Sequence, residues 1–112
     1  MSNTNKHLEN RFMQRYEKVK FSEKLLLDSI NMLNTIKPGT DHTETVNTFL
    51  STLSEYNVNT ENLNEVKHIL QEFLTNEMSQ NETLAYFNYL YDVACFKAEQ
   101  LWLIQDIFKC YF

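Results

Sequence analysis

The chain has a single proline and a single glycine in 112 residues, and the two are adjacent, Pro38 and Gly39. Average usage would supply about thirteen such residues in a chain this long. Proline and glycine end helices and shape the turns between strands, so two long stretches without either favour helices with few interruptions. Strand signals are poor as well. There is no Asn-Gly or Asp-Gly turn, and no sustained alternation of apolar and polar residues bounded by turn residues. The chain is 43% hydrophobic and 22% charged, which suits one globular domain spanning residues 1–112 and lies outside the disordered class.

Apolar periodicity divides the chain into four helices. Over residues 5–36, Leu8, Phe12, Tyr16, Val19, Leu26, Ile30 and Leu33 fall on one stripe of a 3.6-residue wheel. Glu23 lies in that stripe with Ser22 before it. Either the helix breaks near Phe21, with Ser22 capping its second half, or a carboxylate points toward the core. Lys37-Pro38-Gly39-Thr40 is a turn, and Asp41 with Glu44 three residues on reads as a capping box opening a helix over 42–56. Its inner face is Val46, Phe49, Leu50 and Leu53. After the turn-forming Asn57-Val58-Asn59-Thr60, a third helix is expected over 61–78, with Leu63, Val66, Ile69, Leu70, Phe73 and Leu74 inward. Ser79 and Glu82 repeat the capping box and open a last helix over 80–111. The expected fold is all-α: a single-domain four-helix bundle with long first and last helices and a shorter helical hairpin between them.

Nine of the fifteen aromatic residues fall in the last 27 positions of the chain, all but Phe112 on the last helix. Its polar strip is narrow (Asn88, Asp92, Glu99, Asp106), which leaves it apolar around most of its circumference. Either the other three helices enclose it, or its surplus face, read through Tyr89, Phe96, Leu103 and Tyr111, meets a second copy or another protein. Cys95 and Cys110, 15 residues or roughly 22 Å apart on this helix, cannot bridge within the chain and are expected to be small buried hydrophobes.

Charge is segregated. Residues 1–40 carry a net +3 and residues 41–112 a net −8, for −5 in all. Arg11, Arg15 and Lys18 border one edge of the first helix's apolar stripe, and Lys6, Lys20 and Lys24 border the other. Long basic chains beside a buried seam ordinarily snorkel to water, while the functional alternative is a phosphate-contacting helix in a dimeric nucleic-acid-binding regulator. The acidic remainder and the lack of a helix-turn-helix signature weigh against nucleic acid. The central hairpin is net −6, with Glu44, Glu61, Glu65 and Glu72 as its candidate docking carboxylates for a basic partner, against a plain solvated face.

Catalytic signatures are not found. There is no Gly-x-Ser-x-Gly elbow and no glycine-rich loop to cradle phosphates, and neither Arg11 nor Arg15 is followed four to six residues later by histidine. Glu65-x-x-His68 has the spacing of a di-iron ligand pair, but a di-iron bundle needs two such pairs, and this one faces away from the expected core. No enzyme, metal or cofactor is expected. The initial MSNTNKHLEN lacks a signal peptide's apolar centre, and no run of about 18 uncharged apolar residues exists, so the expectation is a soluble, cytoplasmic protein. The expected function is a non-catalytic protein-interaction module, a small regulator, inhibitor or adaptor. It would bind through the acidic hairpin or the aromatic last helix, or alternatively self-associate through that helix as an assembly subunit.

Overall fold

A computed structural model describes residues 3–56 and 61–111, without the side chains of 3–8, 61, 108 and 111. Four helices follow one another: α1 (Asn3–Asn34), α2 (Thr43–Leu53), α3 (Glu61–Leu74) and α4 (Gln80–Tyr111). The all-α bundle with long outer helices and a short inner hairpin is the observed architecture, and the described residues contain no strand. The turn expected at 57–60 lies outside the described residues.

Local chemistry sets the boundaries. Gly39 has φ +81°, the value a type II turn requires after proline, and Thr40 N–H closes the turn onto the Lys37 carbonyl at 3.2 Å. At the start of α4 the expected cap is present, with Glu82 N–H donating to Ser79 Oγ at 3.1 Å. At α2 the expectation is off by one residue. His42 occupies the capping position without a side-chain bond, and Asp41 Oδ1 accepts from Thr43 N–H at 3.0 Å, a bond that holds the Asp41 carboxyl below its usual range. Helix α3 stops four residues short of the expected Met78. Asn76 adopts φ +65°, and Glu77 N–H reaches the Glu72 carbonyl at 2.9 Å while Asn76 N–H reaches that of Phe73 at 3.2 Å. That is a Schellman ending, with asparagine where glycine is commoner.

Of the two readings of α1 at Glu23, the break is not there. The helix runs through Ser22, which is buried, and the carboxylate of Glu23 turns inward instead. Glu23 Oε1 accepts from Lys20 Nζ at 3.3 Å and from Cys95 Sγ at 3.5 Å. Its Oε2 is buried without a well-directed hydrogen bond and relies on the Lys20 ammonium 3.1 Å away. An ammonium that needs no special angle is what lets a carboxylate occupy the stripe without breaking the helix.

Helices α1 and α4 run antiparallel along their whole lengths. Gln80 Nε2 donates to the carbonyls of Leu33 (2.9 Å) and Ile36 (3.1 Å), so the first turn of α4 is tied to the end of α1 and to the segment just past it. Further along, Glu23 meets Cys95, and Tyr16 packs on Trp102 with ring centroids 5.6 Å apart. Helices α2 and α3, of 11 and 14 residues, span only about 16 and 21 Å, against about 48 Å for each 32-residue helix. They therefore cover one end. The buried core, from Leu25 to Leu33 on α1 and Ile36 just past it, Val46 and Leu53 on α2, Leu63 to Phe73 on α3, and Phe87 and Ala94 on α4, lies within that end. Tyr56, just past α2, reaches Phe21 in an edge contact at 5.2 Å, which marks where the cover stops. Beyond it α1 and α4 continue as a two-helix stalk, giving the molecule extents of 60 × 24 × 19 Å.

Candidate functional site

The stalk decides what the last helix can do. Its inner face packs on α1 through Ala98 and Gln105, both buried. On the same wheel Phe96 and Ile107 lie roughly 160–180° from Ala98, on a side that no helix among the described residues covers. Tyr89 is 63% exposed, Phe96 60%, Leu103 60% and Ile107 58%. The reading in which three helices enclose α4 is therefore corrected: two of them are too short to reach. Three of the four residues chosen from sequence, Tyr89, Phe96 and Leu103, share this outward face at seven-residue intervals, and the side chain of Tyr111 lies outside the described residues. Sequence reading missed Val93, Gln100, Ile107 and Cys110. With the other three they form one series, Tyr89, Val93, Phe96, Gln100, Leu103, Ile107 and Cys110, advancing by alternating steps of four and three. That spacing is the seam of a coiled coil, and it was available in the sequence as a second periodicity on a helix whose first faces α1. Cys110, expected to be buried, is exposed on this seam.

Grooves flank the stalk where α1 and α4 meet. One is lined by Tyr16, Lys20, Glu23, Cys95, Glu99 and Trp102. The Cys95 thiol there is pushed up by burial and held protonated by Glu23, the opposite of what a nucleophile needs. On the other side Arg15 and Lys18 join Lys97 of α4 over a floor of Val19, Leu101 and Ile104. The structure thus brings together two of the three basic residues singled out on α1, with a third cation that sequence reading had not grouped with them. Arg11 is exposed and does not line this groove.

The acidic hairpin is more dispersed. Glu44 is exposed on the first turn of α2, and the side chain of Glu61 lies outside the described residues. Glu65 Oε2 accepts from the Tyr86 hydroxyl at 3.2 Å, and that carboxylate raises the tyrosine's pKa. Glu72 lies 3.0 Å from His68 Nε2. His42 stacks on Phe73 at 4.2 Å, which puts the start of α2, with Glu44, at the Glu72 end of α3. Two of the four carboxylates are thus already engaged within the chain. Among the described residues, no three His, Cys, Asp or Glu side chains gather as metal ligands, and no helix is long and apolar enough to cross a membrane. Comparison of this chain with protein-family models, with curated proteins and with solved structures finds no match.

Proposed function

We propose that this protein is a non-catalytic interaction module, a small regulator, inhibitor or adaptor, and that it binds through the outward face of α4. The observation that carries this reading is the row Tyr89, Phe96, Leu103 and Ile107, each more than half exposed on a helix whose opposite side is already packed. Contiguous apolar surface rimmed by charge, here Asp92, Glu99 and Asp106, is the ordinary composition of a protein interface. The acidic hairpin is the weaker candidate, because Glu65 and Glu72 have partners within the chain.

Photo-crosslinking separates the two surfaces. A benzoylphenylalanine installed at Phe96 is expected to give discrete protein adducts in cells, and one installed at Glu44 none. Adducts from position 44 alone would move the binding site to the hairpin and overturn the reading. For the nucleic-acid alternative through Arg11, Arg15 and Lys18, the matching observation would be duplex DNA binding that falls steeply with salt.

A further inference from the structure

Resting on the reading that the outward face of α4 is the binding surface, we infer that its occupant is a second copy of this chain, with the two α4 helices packed in parallel along residues 89–110. In heptad terms Val93, Gln100 and Ile107 take the a positions, and Tyr89, Phe96, Leu103 and Cys110 the d positions. Asp92, Glu99 and Asp106 then occupy every g position between the first and last seam residues, while Lys97 and Ile104 occupy e positions.

The flanks select both the partner and its direction. In a parallel pair each g residue faces the e residue of the next heptad on the other helix, so Asp92 meets Lys97 of the second copy and Glu99 meets Ile104. Beside Ile104 stand Arg15 and Lys18, in the groove they share with Lys97. Asp92 and Glu99 on one copy therefore lie along the groove of Lys97, Arg15 and Lys18 on the other, while Asp106 faces position 111, an uncharged tyrosine. The two-fold axis repeats the match, so one self-complementary surface satisfies both copies. In an antiparallel pair g faces g, and carboxylates oppose carboxylates, which is destabilising. Gln100, a polar a-position residue midway along an apolar seam, meets its own copy in the parallel arrangement alone, the device by which a buried amide fixes register. A foreign helix would have to reproduce this whole pattern; a second copy already carries it.

The experiment uses the full chain with Cys95→Ser, so that Cys110 is the sole thiol. Light scattering after size exclusion is expected to give twice the chain mass, and oxidised glutathione in dilute solution is expected to link the two Cys110 thiols, which share one level of a parallel seam. Phe96→Glu, with the helical circular dichroism unchanged, is expected to weaken association about a hundredfold, since it places an unpaired charge in the seam. An antiparallel dimer would put the two Cys110 roughly 30 Å apart, so a dimer that links only when Tyr89→Cys is added overturns the inference. A chain that stays monomeric across concentration also overturns it. If such a monomer still gives Phe96 adducts with a different protein, the proposed function stands and the homodimer does not.

Discussion

Cys95 and Glu23 are the pair through which the middle of α1 senses the middle of α4. The thiol donates to Glu23 Oε1, and burial is the largest influence raising its pKa above the ordinary value of 9.0. An acid whose folded pKa is raised contributes stability that is fully present below the unfolded pKa and is lost as pH rises through the folded one. Urea midpoints measured from pH 7 to 10.5 are therefore expected to fall more in the parent chain than in Cys95→Ala, the difference opening above pH 9. Parallel curves for the two proteins would remove the thiol from the pH response. At this scale sequence reading succeeded where a side chain acts on its own backbone, as Ser79 does on Glu82. It failed at Asn76, because asparagine is only a weak helix breaker and its left-handed φ is chosen by the turn into α4. It left Glu23 open, since whether a carboxylate can sit in an apolar stripe depends on Lys20 and on a cysteine 72 residues away.

Helix identity was legible for all four elements because each carries its own apolar period, and the α2 and α3 inner faces are largely as read: Val46, Leu53, Val66, Leu70 and Phe73 are all buried. Which part of a helix is covered was harder to see, because cover is a property of its neighbours' lengths. The expected lengths, two short helices against two of roughly 45 Å, already implied an uncovered end, though not which face of α4 would be left bare. The same asymmetry sets the cost of substitutions along α4. Phe87, fully buried in the shared core, is expected to cost about 3–5 kcal/mol on change to alanine. Leu103→Ala, on the stalk, is expected to change monomer stability by no more than about 0.5 kcal/mol, as for an exposed site. Urea unfolding in dilute solution measures both. Comparable losses at the two sites would mean that the stalk is packed as tightly as the core.

Over the whole molecule, one end is held by four helices and a shared core, and the other by two helices with an apolar seam facing water. Stability is expected to follow that division, since amide protection rises with the apolar packing around a segment. In dilute solution the amides of α4 beyond Ala98 should exchange faster than those near Phe87, because only α1 supports them there. If the seam is closed by a second copy, raising the protein concentration should slow exchange along residues 89–110 of α4 while leaving α2 and α3 unchanged, because neither carries the seam. Exchange that ignores concentration would leave the outward face uncovered at every concentration tested, and the second copy would be rejected as its occupant. Slowing confined to α2 and α3 would instead locate self-association at the acidic hairpin. The comparison is decisive because the segments lie on one chain, so each sample carries its own reference.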